Sequence, residues 1–82
     1  MVIVKRNRIE IMAAILSLCS KPETKTRVIY GTNLSWKMLQ HYFSQLQALD
    51  LLEIHDKSTR YLTTKRGQEF VKKWKELKEL IE

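Results

Sequence analysis

The sequence predicts a mainly α fold with one small β-hairpin near its C-terminal end, and three observations carry that expectation. Only two Gly and one Pro occur among 82 residues, so turns are few and helices should dominate. Apolar residues recur at helical spacing over about 5–20, 24–49 and 64–81. Between about 51 and 63 the period shortens, and two β-prone runs flank a polar loop. The whole chain, 1–82, is expected to form a single domain. One of this size buries only about 60–65% of the surface its unfolded form exposes, so a partner chain would help it.

The first helix is expected over about 5–20. At 100° per residue, Ile9, Met12, Ala13 and Leu16 share one face, while Ile11, Ala14, Ile15 and Leu18 lie largely on the other. Each aliphatic side chain withdrawn from water stabilises by about 1.5–3 kcal/mol, so neither face stays wet cheaply. One should pack in the core, and the second against another helix or a partner chain. Pro22 stops this helix, lacking the N–H and disfavouring helix at Lys21. Thr24 then caps a short helix, "KTRVIYG", with Val28 and Ile29 inward and Gly31 closing it.

Asn33-Leu34-Ser35 reads as a tight connection, with Ser35 or Asn33 capping the next helix. On that helix Leu39 defines a core stripe with Leu46, Phe43, Tyr42 and Trp36, Leu49 lying about 80° away. Lys37, Gln40, His41, Ser44 and Ala48 take the opposite side. A very short helix, a turn of about three residues and a capped helix make a helix-turn-helix. Asp50 stands where the chain must reverse, a position that often requires a left-handed backbone. The runs 51–54 and 60–63 around "HDKST" then form the hairpin. Thr64 caps the last helix, where Phe70, Trp74, Leu77 and Ile81 repeat at spacings of four, three and four, a seam like that of a coiled coil.

The formal charge is +6, and it is uneven. Residues 1–37 hold seven bases against two acids, whereas 65–82 hold six against four, as a solvated helix would. Such an excess commonly marks a polyanionic partner. The single Cys19 lies in an apolar helical pattern, cannot form an intrachain disulfide and has no Cys/His set around it for zinc, so a buried, inert thiol is expected. Neither a signal-peptide core nor an apolar run of about 18 residues is present, so a cytoplasmic, intracellular location is expected. No paired carboxylates, glycine-rich phosphate loop or activated nucleophile is arranged for catalysis. No enzyme activity, metal, cofactor or small-molecule effector is expected.

Helix, short helix, capped helix, hairpin, helix is the order of a winged helix-turn-helix, here with a C-terminal helix for dimerisation. The residues carry a resemblance as well. Lys25-Thr26-Arg27, Val28-Ile29-Tyr30, Asn33-Leu34-Ser35-Trp36, the ladder of Leu39, Tyr42, Leu46 and Leu49, then Tyr61-Leu62-Thr63 and Gly67 resemble the archaeal winged-helix family of small chromatin-associated and regulatory DNA-binding proteins. Winged-helix regulators of archaeal viruses are similar. The resemblance spans about 5–80. Asp50 replaces the usual Gly before the wing, and Arg66 stands before Gly67 where Lys is usual. The last helix ends at Glu82, whereas relatives often extend it into a long antiparallel coiled coil.

The expected function is sequence-specific binding of double-stranded DNA by a homodimer acting as a transcriptional regulator on nucleoid or viral DNA. In helix-turn-helix proteins the second helix enters the major groove, so Lys37, Gln40, His41 and Ser44 would face base edges. Lys25 and Arg27 lie where backbone phosphates run, and Ser35 at a helix N-terminus could hold a phosphate or act as a cap alone. Trp36 belongs to the same helix start, at the edge of the core stripe. Lys57 and Arg60 in the wing suit phosphate or minor-groove contact, or simple solvation. Lys5, Arg6 and Arg8 are a basic arm or a frayed terminus. The dimer contact is expected from Ile11, Ile15, Leu18, Phe70, Trp74, Leu77 and Ile81. Two rivals stand beside this reading: an architectural protein of low sequence preference, and a winged helix used for protein–protein contact.

Overall fold

The structure, a computed structural model, describes residues 7–55 and 59–81. Lys5, Arg6 and Lys57 lie outside the described residues. Six elements follow in order: α1 (Arg8–Leu18), α2 (Lys25–Thr32), α3 (Trp36–Ala48), β1 (Leu52–Ile54), β2 (Tyr61–Thr63) and α4 (Lys65–Ile81).

The helix α1 begins where the Asn7 side chain accepts the Glu10 N–H at 2.8 Å and runs through the middle of the fold. Ile11, Met12, Ala13, Ile15 and Leu16 are all buried. Most of both apolar faces is covered within the chain, by α2, α4 and β2, with Ile9 at the helix start left half-exposed. This corrects the expectation that Ile11 and Ile15 meet a partner. Ile11 and Ile15 are 7% and 0% exposed and belong to the chain's own core, while Leu18 is partly buried against it and lies over Gly31. Burial periodicity marks a face that must be covered and is silent on what covers it.

The C-terminal end of α1 is held by a strand. Four carbonyls at a helix end lack intrahelical partners. Thr63 takes two groups at this one, its hydroxyl donating to Leu16 O at 2.6 Å and its N–H to Cys19 O at 2.8 Å. The segment after α1 continues along β2, Glu23 and Tyr61 exchanging backbone hydrogen bonds of 2.9 and 2.7 Å. β2 in turn pairs antiparallel with β1, in the register Leu52↔Thr63, Glu53↔Leu62 and Ile54↔Tyr61. The hairpin is thus fastened to the body along its second strand.

Thr24 caps α2, its hydroxyl accepting the Arg27 N–H. The helix ends one turn position later than Gly31 suggested. Asn33, at φ 58°, is the left-handed cap residue and donates its N–H to Ile29 O at 2.8 Å, while Gly31 stays helical beneath Leu18. Ser35 caps α3, its Oγ accepting the Met38 N–H at 3.2 Å. The helix buries Leu39, Phe43 and Leu46 at spacings of four and three. Leu49 falls outside the core stripe, more exposed than its angle suggested, because it is the cap residue where α3 ends.

Asp50 takes the left-handed position with φ 61°. Its N–H goes to Gln47 O and that of Leu51 to Leu46 O, the paired bonds of a Schellman ending with Leu51 packed beyond the turn. α4 starts where Thr64 Oγ1 accepts the Gly67 N–H at 3.0 Å and donates to Asp50 O at 2.7 Å. Phe70 and Val71 pack on the core. The apolar seam then outruns the body, leaving Leu77, Leu80 and Ile81 at 51%, 85% and 74% exposure.

Candidate nucleic-acid interface

The amphipathic division of α3 creates the outward surface. With Leu39, Phe43 and Leu46 buried, the residues on the far side of a 100°-per-residue helix must face out. Lys37, Gln40, His41 and Ser44 are all exposed, as the sequence pattern requires, and share one arc of about 100°. His41 is less free than its exposure implies: the Gln45 amide N–H donates to His41 Nε2 at 3.2 Å. In that arrangement Gln45 Oε1 is buried without a partner; turning the amide over instead lets it accept from the imidazole.

Lys25 and Arg27 lie in the first turn of α2, both exposed. The Arg27 guanidinium stands 4.0 Å from the Glu23 carboxylate, a surface pair that holds it only loosely. Lys25 is placed otherwise. Its Nζ sits 4.5 Å from the centre of the Trp36 ring, so the openings of α2 and α3 meet at one corner. Trp36 is half-buried there and packs edge-on against Phe43 at 6.2 Å. Ser35 has its hydroxyl engaged as the cap. Arg60 is exposed at the start of β2, where its carbonyl accepts the His55 N–H at 2.8 Å.

One exposed aromatic was passed over in the sequence, where Tyr30 was grouped with Val28 and Ile29. It is 82% exposed. The signal was available: with Val28 buried, Tyr30 lies about 200° away, within about 60° of Arg27. Cys19, by contrast, is fully buried, and burial first, then the nearby Glu23 carboxylate, push its thiol up to about 12. A thiol so rarely ionised is a poor nucleophile. No helix among the described residues is long and apolar enough to cross a membrane.

A short helix, a turn, a capped helix with an outward polar face and a hairpin fastened behind it are the parts of a winged helix. The winged helix-turn-helix family profile matches residues 5–82. This chain belongs to that family. Among solved structures, this winged helix-turn-helix protein is similar to the crystal structure of Sso10a-2, a DNA-binding protein from Sulfolobus solfataricus. The likeness has a TM-score of 0.81 at 31% identity, over 92% of this chain and 81% of that one. The resemblance read from the sequence, to an archaeal winged-helix family of DNA-binding proteins, therefore holds. No curated protein matches.

Proposed function

We propose that this winged helix-turn-helix protein binds double-stranded DNA as a homodimer and acts as a transcriptional regulator, with α3 in the major groove. The observation that carries the reading is the exposed arc of Lys37, Gln40, His41 and Ser44, backed by three buried residues and flanked by Lys25 and Arg27. Lys can donate to guanine acceptors and Gln can pair with adenine on two atoms. Lys25, Arg27 and Arg60 would meet phosphates, as would the N-terminus of α3 at Ser35, with Trp36 beside them at the helix start. The +6 charge favours the same partner, and the Sulfolobus relative is a DNA-binding protein. The dimer would form through the α4 seam, where Leu77 and Ile81 lie exposed beyond Phe70 and Trp74. Two copies of α3 would then address half-sites about 34 Å apart.

Selection of binding sites from random duplexes at moderate salt tests the reading. A regulator yields a consensus and loses about 1–3 kcal/mol per wrong base pair. An architectural binder yields no consensus and near-equal affinities. The affinity of either falls with salt, by a slope of about 0.9 per phosphate contact, whereas a protein–protein module shows no such binding. Replacing Lys37 and Arg27 together by Ala should flatten that slope by up to about two contacts' worth. Unchanged affinity in the double variant would remove the site from this face.

A further inference from the structure

Lys25, Trp36, Phe43 and Tyr61 form one continuous stack across three elements. The Lys25 ammonium lies over the Trp36 ring at 4.5 Å, and Trp36 stands edge-on to Phe43. The Phe43 ring packs on that of Tyr61 at 4.1 Å with 33° between the planes. Tyr61 is itself fixed by its two backbone hydrogen bonds to Glu23, the residue two before Lys25. The stack therefore closes a ring from the entry of α2, through α3 and β2, back to the entry of α2.

A lysine on a free surface samples many rotamers, and ordering it on binding costs free energy. Here an aromatic face attracts the ammonium and holds the stem while the outer N–H groups stay open to solvent. The ring is immobilised from behind by Phe43, so the charge has a set place beside the first turn of α3.

We infer that Trp36 is a positioning residue for duplex binding: it acts by holding the Lys25 ammonium ready for a backbone phosphate, and not by touching DNA itself. The inference rests on the DNA-binding reading above and names how one contact of that surface is preorganised. It also gives Phe43 and Tyr61 a part in binding that neither can have through direct contact from the core side of α3.

The test is a double-mutant cycle with the full chain and a labelled random-sequence duplex, read by fluorescence anisotropy over a range of salt. Trp36→Leu should weaken binding about two- to tenfold, the weight of one long side chain left unordered. It should leave the salt slope unchanged, because the charge is still present. Lys25→Ala should lower the slope by about 0.9. In the Lys25→Ala background, Trp36→Leu should have no further effect, and Trp36→Phe, which restores an aromatic face, should recover most of the affinity in the Lys25 protein.

Equal losses from Trp36→Leu with and without Lys25 would overturn the inference. Should Trp36→Leu not fold, fluorinated tryptophan drains the ring of electron density at nearly unchanged shape. It should weaken binding in the Lys25 protein and not in Lys25→Ala, a comparison that cancels any effect at Trp74. Independently of DNA, the Lys25 ε-methylene protons should be shifted upfield by the Trp36 ring current; an unshifted signal overturns the inference. If the protein binds no duplex at all while that shift is present, the DNA-binding reading fails and the stack stands as a structural feature alone.

Discussion

Adding one methyl group at Gly67 should unfold much of what aligns the hairpin with α4. Gly67 is buried in the first turn of that helix, and a Cβ built there collides with the Leu51 carbonyl and comes within 2.5 Å of Thr63 Cγ2. Neither neighbour can withdraw. Leu51 is held at the Schellman ending through its N–H to Leu46 O, and its own carbonyl accepts the Thr64 N–H at 3.0 Å. Thr63 is held by its two bonds to the end of α1. Ala gains at most about 1 kcal/mol of helix propensity over Gly. Against this, overpacking costs about 1–3 kcal/mol. Disturbing the Thr64 cap and the Thr64–Leu51 bond costs about 1 kcal/mol each. Gly67→Ala should therefore lose about 2–4 kcal/mol, a fall in Tm of roughly 10–20 °C for a domain of this size. Gly31→Ala is the control. Its Cβ would meet Leu18 Cδ1 at 2.6 Å, the mobile end of a half-buried side chain that can turn aside. The change there should stay within about 1 kcal/mol of zero. Urea melts of both variants decide the matter. A Gly67→Ala protein as stable as Gly31→Ala would refute the reasoning that the Leu51 carbonyl and Thr63 are immovable.

Three further outcomes follow from the same geometry. Asp50→Gly should stabilise by about 0.5–1 kcal/mol, because a Cβ at φ 61° is strained and Gly removes the strain, partly offset by Gly's greater freedom when unfolded; Asp50→Val should destabilise, and a melt with the opposite order would show that the left-handed turn is unstrained. Cys19 carries a pKa raised from 9.0 to about 12, so it supports folding fully below about pH 9, and that support is lost as pH rises toward 12. Subtracting the pH–stability curve of Cys19→Ala, which cancels the Lys and Tyr titrations, should leave a decline confined to that window; a flat difference would mean that the folded thiol ionises normally. If the proposed dimer forms through α4, replacing Leu77 and Ile81 together by Asp should lower the sedimenting mass to that of a monomer, with the urea transition retained, since neither residue is in the core; an unchanged mass would place any association elsewhere.

The elements most legible in the sequence are those whose signal is local. The two faces of α3 follow from 3.6-residue periodicity, and Ser35, Thr24 and Thr64 cap the helices they precede because a side-chain oxygen there reaches an N–H three residues on. The reversal at Asp50 was legible for a similar reason: a strand cannot continue directly from a helix without one residue leaving the right-handed region. At the end of α2 two residues could serve, and Asn33, not Gly31, took the left-handed position, because α2 runs on through Thr32 and leaves Gly31 inside the helix, with Leu18 packed over it.

From its sequence alone, then, this protein was committed to helices and a hairpin in winged order, to an outward polar face on α3 and to an excess of positive charge on its first half. Tertiary structure decided which surfaces meet. Ile11 and Ile15 went into the chain's own core, Leu18 settled over Gly31, Thr63 became the clasp on the end of α1, and Lys25 came to rest over Trp36. The division has a physical cause: periodicity and capping depend on neighbours within about four positions, whereas the partner of a buried face is chosen by how the whole chain closes around it.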